Sequence, residues 1–105
     1  MRPWRPVASK ELLDIIAQQL SACAPEERAA FEKIRIPLRS IQIERGDTVG
    51  AVFVVAEKGD DLLVFEDIEE GFEWCRPDSD GIIRQYGCSQ FELRHILNQL
   101  LHPSI

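Results

Sequence analysis

The chain lacks the short motifs that identify most enzymes and metal proteins. Its 105 residues contain no glycine-rich phosphate loop, no Gly-x-Ser-x-Gly elbow, no His-Glu-x-x-His and no Cys-x-x-Cys pair. The two histidines, His95 and His102, stand seven residues apart, which is about 10 Å along a helix and too far for one zinc ion. We therefore predict no metal and no cofactor.

Long hydrophobic runs are also missing. No apolar stretch approaches the roughly 18 residues of a membrane span, and the basic residues 1–6 are not followed by the apolar core of a secretory signal. The three cysteines, Cys23, Cys75 and Cys88, are odd in number and widely spaced, which is typical of reduced thiols. These features predict a cytoplasmic protein with no membrane partner.

One cysteine, Cys88, is the best candidate for a nucleophile. It precedes a predicted helix, whose dipole favours the thiolate. The obvious base, His95, lies seven positions further on, so the helix separates the two groups by about 10 Å, whereas a nucleophile and its base must approach within about 3 Å. The sequence therefore predicts no catalytic residue.

The charge is strongly asymmetric. The net charge is -6, and residues 49–105 hold eleven acidic against four basic residues, with ten of those acids between Glu57 and Asp80. Such a field repels nucleic acid and anionic membranes but attracts basic protein surfaces. We therefore expect no nucleic-acid partner and favour a basic protein partner.

Helical periodicity begins after an extended arm. Residues 1–8 carry two Arg-Pro steps and Trp4, and a single domain is predicted over residues 9–105. Ser9 is expected to cap the first helix. Its buried face is predicted to hold Leu12, Leu13, Ile16, Leu20 and Cys23.

Two further helices are predicted. Pro25 fits the first position of a second helix that ends near Lys33. Ser89 and Glu92 fit a capping box that opens a third helix. That helix has an apolar stripe at helical spacing, formed by Leu93, Ile96, Leu97, Leu100 and Leu101.

Between the second and third helices the pattern changes to short apolar runs joined by turns. A bend is expected near Arg39 and Ser40, just after Pro37, and residues 49–56 predict a strand that is buried on both faces. Asp80-Gly81 predicts a turn into a last apolar run at residues 82–86. The predicted fold class is α+β, an antiparallel β-meander of four to five strands with two N-terminal helices and one C-terminal helix packed on the sheet.

An acidic hairpin surrounds Gly71. A three-residue loop would place Glu73 opposite Asp67, and a loop at residues 68–71 would place it opposite Glu66. Two facing carboxylates cost about 0.2 to 1 kcal/mol unless a cation, a shared proton, a basic partner or an arginine such as Arg76 compensates. The hairpin thus supports an alternative function, a carboxylate-based enzyme or small-ligand site at Glu66, Asp67 and Glu73, assisted by positive charge from Arg35, Arg39 or Arg84.

The leading interpretation is a small non-enzymatic interaction module. It would bind a basic partner through its sheet edges and through the acids of its turns, namely Glu57, Asp60, Asp61, Glu66, Asp67, Glu69, Glu70 and Glu73. In size, acidity and helix-plus-meander layout the chain resembles the small acidic immunity proteins that neutralise bacterial toxins, a likeness that implies the same kind of partner.

A third hypothesis is a structural homo-oligomer. The predicted helices supply cover for one face of the sheet, whereas residues 49–56 are apolar on both faces. A second copy would cover the other face. A concave cluster of acids would favour the enzyme, and acids spread over a convex surface would favour the interaction module.

Overall fold

The computed structural model describes residues 8–66, 71–84 and 91–102, with the backbone alone at Arg45 and Glu66. In chain order the elements are α1 (Ser9–Ser21), α2 (Pro25–Ile34), β1 (Arg35–Arg45), β2 (Thr48–Lys58), β3 (Asp61–Glu66), β4 (Gly71–Cys75) and α3 (Leu93–Leu101). The strands form one antiparallel sheet in the order β1-β2-β3-β4. The predicted α+β meander is confirmed, and the predicted arm lies outside the described residues except for Ala8.

Two tight turns connect the first three strands. The pairing of β1 with β2 ends at Arg45 opposite Thr48, and the pairing of β2 with β3 begins at Lys58 opposite Asp61. Each hairpin loop therefore has two residues. Gly46 and Gly59 open these loops with φ values of 59° and 61°, a conformation that glycine adopts without a Cβ clash.

The helices cover one face of the sheet and form the first core. Leu12 and Ile16 of α1, Phe31 of α2, and Leu93, Ile96 and Leu97 of α3 pack there against side chains from β2, β3 and β4, including Val55, Leu63 and Phe72. Leu97 has no exposed surface. Leu13, which we expected on the buried face of α1, is 47% exposed.

The opposite face of the sheet holds a second core. It consists of apolar side chains that point away from the helices, namely Ile41, Ile43, Val52, Val54, Leu62, Val64, Cys75 and Ile83. Val54 and Val64 are fully buried. The prediction that residues 49–56 are buried on both faces holds for residues 52–56, which are buried or half-buried, whereas Val49 is 63% exposed and Ala51 is exposed.

Ile83 joins this second core from beyond β4. Its amide donates to the carbonyl of Gln42 at 3.0 Å, and its carbonyl accepts from the amide of Glu44 at 2.9 Å. The run predicted as a fifth strand thus contributes one parallel bridge to β1 rather than a strand paired antiparallel with β4. Its remaining residues, from Gln85, lie outside the described part of the chain.

The irregularity in β1 lies slightly earlier than predicted. The register with β2 shifts between Arg35 and Arg39, around Pro37, which has no amide to donate. As a result Ile36 packs on the second core, whereas Leu38, two residues further on, packs on the first.

Both predicted serine caps are wrong. Ala8 is the N-cap of α1 and Glu92 is the N-cap of α3. The late start of α3 follows from the bond between the amide of Phe72 and the carbonyl of Phe91, which holds Phe91 against the edge of β4. Ser89 lies outside the described residues.

The side chain of Gln19 in α1 caps the start of α3. The side-chain oxygen Oε1 of Gln19 accepts the Leu93 amide at 2.8 Å, and Nδ1 of His95 accepts the Glu92 amide at 3.2 Å. These two bonds satisfy amides that have no partner within the helix itself. Gln19 and Leu93 are 74 residues apart in sequence, so local pattern does not reveal the contact.

Replacing Leu97 with Ala should lower the free energy of unfolding by about 2 to 5 kcal/mol, because it leaves a cavity in the first core. Leu13 is the matched control, since its side chain is half exposed and its replacement by Ala should cost much less. Urea unfolding followed by circular dichroism would measure both. Equal losses in the two variants would contradict this placement of α3.

Replacing Gln19 with Ala should cost about 0.5 to 2 kcal/mol, because the Leu93 amide loses its acceptor at a partly buried site. Gln18 is exposed and its side chain makes no hydrogen bond in the described structure, so Gln18→Ala is the control. Urea unfolding followed by circular dichroism would measure both variants. A control variant as unstable as Gln19→Ala would show that the effect is not the lost cap.

Candidate functional site

The acids of the β2–β3 turn are balanced by nearby cations. Glu57 binds the Arg39 guanidinium at 3.1 Å, and Asp61 binds that of Arg76 at 3.0 Å. Asp60 and Lys58 are exposed at the same turn. Two of the three carboxylates at this turn are thus paired with arginines.

The acidic hairpin has neither of the registers that we predicted. Glu73 lies opposite Val64, and Glu66 lies opposite Gly71, so no carboxylate faces Glu73 across the ladder. The reason is an aromatic pair: Phe65 and Phe72 are direct partners with ring centroids 5.1 Å apart, edge to face, in the first core. A shift by one residue would move one of these rings to the other face of the sheet and separate the pair.

This register directs Glu73 toward the second core. The residue is half-buried, its Oε2 atom is buried, and its neighbour on the same face of β4 is Cys75. Burial, and secondarily the charge of Glu73, raises the pKa of the Cys75 thiol to about 12. Glu73 is therefore part of the interior of the fold rather than of an acidic turn.

The structure does not describe the remaining predicted acids. Asp67, Glu69, Glu70 and the side chain of Glu66 are outside the described residues. In sequence, Asp67, Glu69 and Glu70 follow β3, whereas Glu57, Asp60 and Asp61 lie at or beside the turn that precedes it. The surface predicted for these eight acids therefore stays a prediction.

A different acidic cluster surrounds Arg84. Its guanidinium contacts Asp80 at 2.7 Å, Asp78 at 2.9 Å and Glu44 at 3.3 Å. All four side chains are exposed by between a third and just over half of their area. Three carboxylates against one guanidinium leave a local charge of -2. We call these four residues the Arg84 cluster.

The turn before Arg84 positions two of these carboxylates. Asp80 Oδ1 accepts the Ile82 amide at 3.1 Å, the Gly81 amide donates to the carbonyl of Asp78 at 2.8 Å, and Gly81 has a φ of 82°. Hydrogen bonds from Arg84 and from the Ile82 amide hold the pKa of Asp80 below its usual value. Asp80 therefore stays ionised at neutral and mildly acidic pH.

Sequence reasoning missed this cluster for a specific reason. The Asp-Ser-Asp-Gly run at residues 78–81 signals a turn, and Arg84 follows Asp80 by four residues. Glu44, however, is 40 residues away from Arg84 in the chain. Glu44 comes close to Arg84 because Ile83 forms a backbone bridge to β1.

The arginines proposed for a carboxylate enzyme are engaged separately. Arg35 binds Glu32 at 2.9 Å and lies over the Phe31 ring, while Arg39 and Arg84 bind the carboxylates described above. Within the described ranges, no group of three His, Cys, Asp or Glu side chains is placed to hold a metal ion. Arg35, Arg39 and Arg84 thus bind three separate sets of carboxylates and do not converge on one site.

Two surface depressions lie on the helical side. One, of about 260 Å³, is lined by Phe91, His95, Asn98 and Gln99. The other is a groove of about 540 Å³ between α2 and α3. Neither depression is lined by a predicted partner-binding acid.

No helix in the part of the chain that the structure describes is long and apolar enough to cross a membrane.

Comparisons with known proteins give no relative. No protein-family model matches the chain, and neither curated proteins nor solved structures yield a match.

The two described cysteines should resist alkylation in the folded protein. Cys23 and Cys75 are free and buried, and burial is the main cause that raises the pKa of each thiol, which leaves little thiolate at pH 8. We expect iodoacetamide at pH 8 to leave both unmodified, and to modify both in concentrated urea, as read by peptide mass mapping. Rapid native labelling of Cys75 would contradict the described second core.

Proposed function

We propose that the protein is a small cytoplasmic, non-enzymatic module that binds a basic protein partner. The observation that carries this proposal is the Arg84 cluster, where three exposed carboxylates share one guanidinium. A lysine or arginine from a partner would supply the missing positive charge. The acids in the connection between β3 and β4, Asp67, Glu69 and Glu70, would add to the same attraction.

The rigidity of the cluster supports this role. Glu44 lies on β1, and the segment that carries Asp78, Asp80 and Arg84 is tied to β1 by the two backbone bonds of Ile83. Ile83 itself is fully buried. Carboxylates held in place before binding lose little conformational freedom on binding, which favours affinity.

The remaining charge also supports a basic rather than an acidic partner. The chain has a net charge of -6, so its long-range field speeds encounter with a positive surface and weakens as salt screens it. The β2–β3 turn contributes less, because Arg39 and Arg76 already balance Glu57 and Asp61.

The two alternative hypotheses gain no specific support. The enzyme hypothesis needed Glu66 or Asp67 opposite Glu73, and Val64 occupies that position. The homo-oligomer hypothesis needed an uncovered second face, yet Val52, Val54, Leu62 and Val64 are buried within one chain. Oligomerisation therefore stays a prediction with no surface assigned to it.

The test is a double neutralisation of the cluster, Glu44→Gln with Asp78→Asn. Asp80 is kept because it accepts the Ile82 amide and holds the turn. We expect the double variant to lose a partner that wild-type protein captures from lysate at low salt, because the local charge rises from -2 to zero. Capture by wild-type protein should also fall as the salt concentration rises.

The matched control is Glu57→Gln with Asp61→Asn, which changes the net charge equally at the balanced turn. This control should retain the partner, and thermal unfolding should confirm that both variants fold. Equal retention by the two variants would refute the role of the Arg84 cluster. Equal loss would point to net charge alone.

A further inference from the structure

An apolar groove runs along the outer side of the helical layer, between α2 and α3. Its floor and walls are formed mainly by aliphatic side chains, namely Ala29, Ala30, Ile34, Leu100 and Leu101. Leu101 is 37% exposed, and Ile34 and Leu100 are half-buried. The groove has a volume of about 540 Å³ and leaves these side chains in water in a single chain.

Two lysines border the groove at one end. Lys33 is in the last turn of α2 and Lys58 is the last residue of β2. No carboxylate in the described ranges lies within ion-pair distance of either ammonium group. Glu26, in the first turn of α2, lies at the other end, about 10 Å away along the helix.

A mainly basic border around an apolar groove is unusual for this acidic chain. The chain carries 18 acidic against 12 basic residues, yet the aliphatic groove is bordered by two cations and one carboxylate. An occupant that fits must therefore offer apolar side chains to the floor and negative charge to the lysine end. Such complementarity fixes both the composition of the occupant and its direction along the groove.

We propose that this groove binds an amphipathic helix of a partner protein, with acidic side chains at the end that lies beside Lys33 and Lys58. The two helices that border it have 10 and 9 residues, which is about 15 Å of length and matches three turns of a bound helix. Its apolar residues at helical spacing would cover Ile34, Leu100 and Leu101. The site is separate from the Arg84 cluster and does not depend on the role proposed for it.

The test uses a defined probe, a fluorescent peptide of about 12 residues with leucines on one helical face and three glutamates at one end. Fluorescence anisotropy with the full chain should show saturable binding. A second peptide with lysines in place of the glutamates should bind much more weakly. Equal binding of both peptides, or no binding of the acidic one at millimolar protein, would overturn the proposal.

Charge reversal at the two lysines tests whether the acidic end of the peptide binds beside them. Lys33→Glu with Lys58→Glu should weaken the acidic peptide by about tenfold or more, since two attractions become repulsions. The control Lys10→Glu with Arg94→Glu makes the same change of charge away from the groove and should leave the affinity within about twofold. Equal weakening by the two pairs would overturn the assigned orientation.

Steric blocking gives an independent readout. Ala29 is exposed in the groove, so Ala29→Trp should fill it and abolish binding, whereas Ala17→Trp on the exposed side of α1 should not. Sedimentation of the same proteins without peptide tests the other occupant. A wild-type dimer that Ala29→Trp dissociates, together with no peptide binding, would assign the groove to a second copy and overturn the proposal.

Discussion

The fold depends on one constraint, that the central strands β2 and β3 are apolar on both faces and need cover on each. Val55 and Leu63 point to the helices, whereas Val54 and Val64 point the other way. The three helices bury the first set. The second set packs with Ile83, because the chain returns from β4 to β1 and brings this residue into the second core.

That return segment also determines where negative charge collects. Since Ile83 bonds to Gln42 and Glu44, residues 78–84 lie beside β1, and Glu44 joins Asp78 and Asp80 around one arginine. An acid that is distant in sequence thus joins two from the acidic stretch of residues 57–80, whereas Glu57 and Asp61 of the same stretch are paired with arginines. The Arg84 cluster therefore shares only Asp78 and Asp80 with the most acidic stretch of sequence.

The hairpin between β3 and β4 shows how packing decides a question that charge leaves open. Counting loop residues around Gly71 allowed two registers, and both placed Glu73 against another acid. Pairing of Phe65 with Phe72 selects a third, in which Glu73 faces Val64 and points to the side of Cys75. Burial of two aromatic rings outweighs the cost of a partly buried carboxylate, since each ring removes a large apolar area from water.

Periodicity and turn residues in the sequence by themselves determined the element types, the antiparallel meander and the double burial of residues 52–56 in β2, because these depend on neighbours along the chain. Tertiary structure alone decided the start of α3, which Phe72 of β4 and Gln19 of α1 set through their hydrogen bonds to Phe91 and Leu93. It also decided the Arg84 cluster and the groove between α2 and α3. Each of these joins residues far apart in sequence, and no local pattern records which distant side chain will be brought into contact.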